Sequence, residues 1–286
     1  MEKAENHFLE GFTYYLKAIL FVRPKKKIIR RLIKRVVMHQ RYEFNPSETF
    51  IIFNRNIGAL LIHGSRYYIY AWKYEEKPSR LFKCLLKVLG YGVFVDIGAY
   101  VGYYSVFSAK HGWKVIAFEP NPLNRILLRY NALLHDVKDK VTIIDKAVGA
   151  EQGHATFTIS SSPSESSFTN YLRSELRLAN IDVEVTTIDS IIESMNISNE
   201  NNLILKIDVE GFGLNVIRGA MKTLDRFRPF ILFEIHRTFD KQDEIYALSL
   251  LRKIGYNFIT IEPRSTRNFI VYAYPKEKGC LCCEQA

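Results

Sequence analysis

Ionisable residues recur at the ends of apolar runs along this chain, and two groups of them have spacings suited to chemistry. In the first group, Asp96 follows Val93-Phe94-Val95 and precedes Gly98 and Gly102. Twenty-three residues later, Glu119 closes the run Lys114-Val115-Ile116-Ala117-Phe118. A short Val- and Phe-rich run bounded by glycines reads as a buried strand entering a tight turn. Without Cβ, the backbone at Gly98 and Gly102 can bend sharply and come close to a ligand. Residues 103–110 then open a helix whose free N–H groups favour a negative group. An acid at the next strand tip can accept hydrogen bonds from both hydroxyls of a ribose. The order is D-x-G-x-x-x-G, not the G-x-G-x-x-G set that a pyrophosphate requires. A nucleoside bearing an amino acid needs only a hold on its ammonium and carboxylate, plus a ribose clamp. The spacing therefore favours S-adenosylmethionine (SAM) over NAD. The expected cofactor-binding residues are Asp96, Gly98, Tyr100, Gly102, Glu119 and Asp145, the last at the end of Val141–Ile144, where an acid would lie near an adenine edge.

The second group begins at Lys206, Asp208 and Glu210, which recur with period two along Leu203–Gly211. Glu234 and His236 repeat the pattern in Phe230–His236. Period two puts such residues on one face of an extended strand. Methyl transfer from a sulfonium is an in-line displacement, so a protein must mainly align the acceptor and take its proton. A hydroxyl acceptor calls for a general base poised near neutral pH. His236 has the ordinary pKa for that task. Asp208 and Glu210 are alternatives, because crowded carboxylates can raise one another's pKa. Lys206 could pair with these acids or position the acceptor. The expected catalytic residues are Lys206, Asp208, Glu210 and His236. Glu234 joins three of them in offering oxygen and imidazole ligands, but no metal is expected.

Three ordered motifs carry a family resemblance: Asp96-Ile-Gly-Ala-Tyr-Val-Gly-Tyr-Tyr-Ser105, Phe118-Glu-Pro-Asn-Pro122 and Lys206-Ile-Asp-Val-Glu-Gly211. In these the chain resembles the FkbM-type SAM-dependent methyltransferases, over residues of about 90 to 275. It differs from the family pattern at Tyr100 and Gly213. The resemblance implies an α/β fold, a doubly wound seven-stranded class I methyltransferase (Rossmann-like) sheet. It also implies oxygen methylation of a small-molecule or glycan-like acceptor. An Asn/Asp-Pro-Pro-aromatic element, common in enzymes that methylate nucleic-acid bases and amines, does not follow the fourth strand; that place reads Asp208-Val-Glu-Gly211.

The elements that must hold these groups are legible in outline. From residue 93, strand and helix patterns alternate, as in a parallel sheet covered on both faces. Asn121-Pro122 is a helix start. Leu203–Ile207 and Phe230–His236 are the fourth and fifth strands. One helix is expected through Leu214, Ile217, Met221 and Leu224, another over 241–253, and a closing antiparallel pair over 256–261 and 268–274. Residues 147–187 interrupt the alternation with two strands around the polar stretch Ser160–Ser167, a hairpin or lid over the site. Ahead of the sheet, residues 48–74 read as a small β meander and 76–90 as a lead-in helix. The expected divisions are 1–45, 46–90, 91–275 and 276–286.

Charge separates the first of these from the rest. The 286 residues carry a net charge of +10, and residues 1–45 hold eleven of the forty Lys/Arg against four acids. Residues 23–35 form a basic amphipathic pattern, an expected basic helical N-terminal extension that could touch anionic membrane. The apolar stretch 7–22 is too short and too interrupted to span a bilayer. Cysteine is scarce: Cys84 stands alone, and Cys280, Cys282 and Cys283 crowd the last seven residues. That is not a disulfide framework; it suggests a reducing, cytoplasmic setting and a plain flexible tail. Two other functions would fit parts of the pattern. A nicotinamide-dependent oxidoreductase would use the same first two strand tips. A nucleic-acid-binding protein would use the basic helix, although nucleic acid is not the expected partner.

Overall fold

The computed structural model describes residues 49–54, 56–63, 76–160, 177–236, 243–263 and 268–285. The basic extension, the third stretch of the meander and the Ser-rich loop from residue 161 lie outside the described residues.

Seven strands form the central sheet. In chain order they are β3 (Gly92–Ile97), β4 (Lys114–Phe118), β5 (Val141–Ile144), β9 (Asn202–Ile207), β10 (Phe230–His236), β11 (Tyr256–Pro263) and β12 (Asn268–Pro275). Their spatial order is β11-β12-β10-β9-β3-β4-β5. β5, β4, β3, β9 and β10 are mutually parallel, while β12 runs antiparallel to both β10 and β11. The strands are nearly continuous apolar runs because both faces are covered. On one face, Phe94, Val115, Ile204, Phe230 and Tyr272 meet Leu81, Phe82, Val106 and Leu128. These come from α1 (Glu76–Leu89), α2 (Tyr103–Lys110) and α3 (Pro122–Leu134). On the other face, Val93, Val95, Leu205, Ile231 and Phe233 meet Ile188, Ile192, Val216, Leu224 and Leu251. Those come from α4 (Ile188–Ser194), α5 (Gly213–Arg218), α6 (Met221–Phe227) and α7 (Asp243–Lys253).

The expected helix start at Asn121 is present: its Oδ1 accepts from Leu123 N at 3.0 Å, with Pro122 in the first turn. The expected single helix through Leu214–Leu224 is instead two, broken at Gly219-Ala220. A Cβ at Gly219 would meet the Gly149 carbonyl oxygen at 2.0 Å, so the backbone passes too close for any other residue. The second helix is then capped from outside, since Asp189 accepts from Lys222 N and Thr223 N at 3.0 and 2.8 Å. A cap 33 residues away has no local sequence signal.

The meander is present as β1 (Thr49–Asn54) paired antiparallel with β2 (Gly58–His63). It packs on α3, where Asn131 Oδ1 accepts from Leu61 N at 2.7 Å and Asn131 Nδ2 donates to Leu61 O at 3.0 Å. The interruption after β5 is a separate three-stranded sheet of β6 (Ala147–Val148), β8 (Arg177–Thr186) and β7 (Gly153–Ser160) in that order. It has its own small core of Ala147, Phe157, Ile159, Val183 and Val185.

The reading of the C-terminus is corrected. The tail is docked and its cysteines are paired: Cys84 of α1 with Cys282 and Cys280 with Cys283. Arg228 Nε and Nη2 bond the Glu277 carboxylate at 2.6 and 3.1 Å. Lys278 Nζ donates to the carbonyls of Phe227 and Arg228, and Tyr272 Oη donates to Leu281 O. Cys84 and Cys282 are 198 residues apart, and only the fold brings α1 beside the C-terminal turn. Among the described residues, no helix is long and apolar enough to cross a membrane.

Candidate active site

The rim at the carboxyl ends of β4, β3, β9 and β10 collects most of the ionisable groups singled out in the sequence. Register explains it. Asp96 pairs directly with Lys206 across β3 and β9, and neighbours in register share a face. The ladder continues past the strand ends, with Asp208 N donating to Ile97 O at 3.0 Å.

Glu119 closes β4 and is 5% exposed. Its Oε2 accepts from Tyr100 N at 2.7 Å. Its Oε1 accepts from Asn121 N at 2.9 Å and Asn124 Nδ2 at 3.2 Å. Burial pushes its carboxyl up to about 7, against the pull of these donors and of Arg125. Tyr100 reaches it from a left-handed backbone, φ 52°, so the turn after β3 is bent toward the β4 tip. Asp96 is 1% exposed. Ser105 Oγ donates to its Oδ2 at 2.6 Å, and Lys206 Nζ lies 3.9 Å from Oδ1. Its carboxylate therefore faces α2 and β9 from inside the sheet end. Gly98 and Gly102 have φ of 79° and 87°, and what lies close to them is protein. A Cβ at Gly98 would meet Asp208 O at 1.8 Å, and one at Gly102 would meet Leu128 Cδ1 at 2.0 Å. Asp145 follows β5 as an exposed residue at the next strand end.

On the other side of Asp96, Lys206 Nζ donates to Asp208 Oδ2 at 3.1 Å and sits 5.3 Å from the Tyr104 ring centroid, a cation–π placement. Asp208 Oδ1 lies 3.3 Å from His236 Nε2. His236 is buried and also meets Glu210 Oε2 at 3.3 Å and Glu234 Oε1 at 3.8 Å. The Asn268 amide lies 3.2 Å from its Nδ1. Burial alone would depress the imidazole, but Glu210, Asp208 and Glu234 together outweigh it and push it up to about 10. His236 is thus an imidazolium at neutral pH, a proton donor. The ordinary pKa assumed for it as a base does not apply here. Glu210 holds a left-handed backbone, φ 50°, a conformation costly for a residue with a side chain. That bend folds the loop after β9 back over His236. Asp208, Glu234 and His236 offer ligand atoms within 4.8 Å of one another, a spacing at which one cation could be held in competition with the proton on His236.

All four expected catalytic groups therefore meet in one cluster. Asp96 and Lys206 join it to the turn that carries Tyr100, whose N–H donates to Glu119 at the β4 tip. Sequence reasoning passed over Tyr104, Ser105, Asn124 and Asn268. Tyr104 and Ser105 lay inside a recognised motif; Asn124 and Asn268 are placed by helix packing and by the reversed strand β12.

Comparison with known proteins bears on this rim. A family model described as the methyltransferase FkbM domain matches residues 96–258, more than half of the chain and all of the rim from Asp96 to His236. No curated protein matches the chain. Among solved structures, a methyltransferase FkbM from Methylobacillus flagellatus is 18% identical with a TM-score of 0.45, covering 65% of this chain and 44% of its own. This chain thus spans less than half of that protein. A precorrin-6y C5,15-methyltransferase from Geobacter metallireducens is 13% identical with a TM-score of 0.41, covering 74% and 92%. A Streptococcus mutans protein solved in complex with SAH is 12% identical with a TM-score of 0.44, covering 69% and 97%. On the extent of the domain match, the chain belongs to the FkbM methyltransferase domain family.

Proposed function

We propose that this protein transfers a methyl group from SAM to a hydroxyl of a small-molecule or glycan-like acceptor. The observation that carries the reading is one continuous rim on which Glu119 and the glycine turn stand to one side of Asp96, and the Asp208–Glu210–Glu234–His236 cluster to the other. Lys206 bridges them, 3.9 Å from Asp96 and 3.1 Å from Asp208.

The donor set suits the cofactor. A buried carboxylate raised to about 7 is under-solvated, and hydroxyl donors from a ribose would favour its ionised form. A carboxylate has about four acceptor positions, and three donors from the protein are seen on Glu119. When bound, SAM supplies a methyl group on a sulfonium, already a good leaving group. Asn124 and the N–H groups of Tyr100 and Asn121 hold the Glu119 carboxylate, which would receive the sugar hydroxyls. Asp96 acts through Lys206 and Ser105, setting the ammonium of Lys206 between the two halves of the rim.

The acceptor proton goes to a carboxylate, because an imidazolium cannot take one. Asp208 is the group we assign. As the O–C bond forms, the hydroxyl becomes strongly acidic, so a carboxylate is a sufficient base late in the transfer. His236 and Lys206 keep the neighbouring acids ionised and aligned. The products are a methyl ether, the demethylated cofactor and one proton.

The test is the full chain incubated with methyl-labelled SAM and a panel of oligosaccharides and small polyols, with RNA and amines as competitors. Label in an alkali-stable ether, lost in Asp208→Asn, supports the reading. Label confined to amine nitrogen or nucleic acid overturns it.

A further inference from the structure

All four cysteines of the chain meet at one place, away from the catalytic rim. Cys84 lies in α1, and Cys280, Cys282 and Cys283 lie in the docked tail. The three tail cysteines are part-buried against the core that α1 also covers. The Cα atoms of Cys84 and Cys282 are 6.0 Å apart, and those of Cys280 and Cys283 are 5.7 Å apart. Cys282 and Cys283 are consecutive, about 3.8 Å apart between Cα atoms, so the two pairs share one neighbourhood. Consecutive side chains on an extended segment point to opposite sides. Here Cys282 is left-handed, φ 62°, and a 3₁₀ turn begins at Cys283. Through this turn the tail packs against α1. Contacts that need no sulfur, through Glu277, Lys278 and the Leu281 carbonyl, hold the tail in place.

We propose that in the reduced protein these four sulfurs form a tetrathiolate site for a single soft divalent cation, Zn²⁺ by its preference for four sulfur ligands in a tetrahedral array. The two disulfides are the oxidised state of the same site. Two equivalents of a dithiol reductant convert them to four thiols by exchange, each reductant leaving as its own disulfide. Zn²⁺ then displaces the four thiol protons to solvent, with no change in its oxidation state. The site's role is structural: it fastens the last residues to α1. That helix also contributes Pro78 to the wall of a small cavity shared with Tyr104, Lys206 and Glu234.

The test uses the full chain, reduced anaerobically and titrated with Co²⁺ as an optical stand-in for Zn²⁺. One equivalent should give thiolate-to-metal charge-transfer bands and tetrahedral d–d bands, both abolished by one equivalent of Zn²⁺. Cys84→Ser and Cys280→Ser should each lose stoichiometric binding. His236→Gln, which alters the other group of potential ligands, should leave the bands unchanged. Independently of any variant's folding, X-ray absorption at the zinc edge of the reduced wild-type protein should show four sulfur neighbours. Absence of the charge-transfer bands, or a zinc shell of nitrogen and oxygen, overturns the proposal. So does persistence of both disulfides in millimolar dithiol.

Discussion

Glu119 and His236 are buried ionisable groups whose environments pull in opposite directions, and each gives a titration that can be measured. Glu119 sits near 7 in the folded chain because burial disfavours its charge, against an ordinary carboxylate value near 4.5. The folded state therefore holds this proton more tightly than the unfolded chain does. Its contribution to stability is full below about 4.5 and is lost as pH rises through about 7. Thermal melts of wild type should fall over that interval relative to Glu119→Gln, and SAM affinity should rise as the carboxylate ionises. The imidazolium of His236 is raised to about 10 from 6.5. Its contribution is full below 6.5 and is lost as pH climbs through about 10. The transfer rate should accordingly show no inflection near 6.5 that disappears in His236→Gln. Such an inflection would restore His236 as the base. Replacing His236 with Ala strands its acids and should cost about 3–5 kcal/mol by chemical denaturation.

Two backbone contacts decide how the elements meet. Gly98 lets the end of β9 lie against the turn after β3, and a Cβ there would strike the Asp208 carbonyl at 1.8 Å. Backbone cannot swing aside as a side-chain tip can. Gly98→Ala should therefore cost roughly 4 kcal/mol or more, the range reserved for severe lesions, and should displace Asp208 as well. Asp189 caps α6 through two backbone N–H groups and the Thr223 hydroxyl. Asp189→Ala should cost about 1–2 kcal/mol with cofactor affinity unchanged, since α6 lies on the face away from Asp96. Calorimetric melts and a binding titration on each variant separate these outcomes. The same two sites show where reading the sequence stops. Apolar runs ending in acids mark strand tips, because burial on both faces leaves a periodicity and a terminus that composition alone reveals. The glycines beside them were legible as special, but not the reason. Whether a close approach is to ligand or to protein depends on which strand lies alongside, and that is a matter of topology. Asp189 stands in the first turn of its own helix, and nothing near it in the sequence marks the helix it caps.

Across the whole molecule, the order β11-β12-β10-β9-β3-β4-β5 places the glycine turn after β3 beside the Glu119 tip of β4, with the Lys206–Glu210 segment on the opposite side of β3. The seven strands and the terminal reversal follow the pattern that the family motifs imply. The pairing of Asn268 with His236 across β10 and β12 needs that reversal and has no local signature. Nor does the convergence of Cys84 with a tail 198 residues away. Binding on this account is a property of the rim, and the proposed grip of Glu119 on the ribose is the part most open to test. Hydrogen bonds to a charged group contribute about 1.5–3 kcal/mol each, and a tenfold change in affinity is about 1.4 kcal/mol. The direct measurement is isothermal titration of SAM into wild type and Glu119→Ala, with the folded state of each checked by thermal melting. The account predicts at least a ~100-fold loss of affinity in the variant; equal affinities in two folded proteins would contradict it.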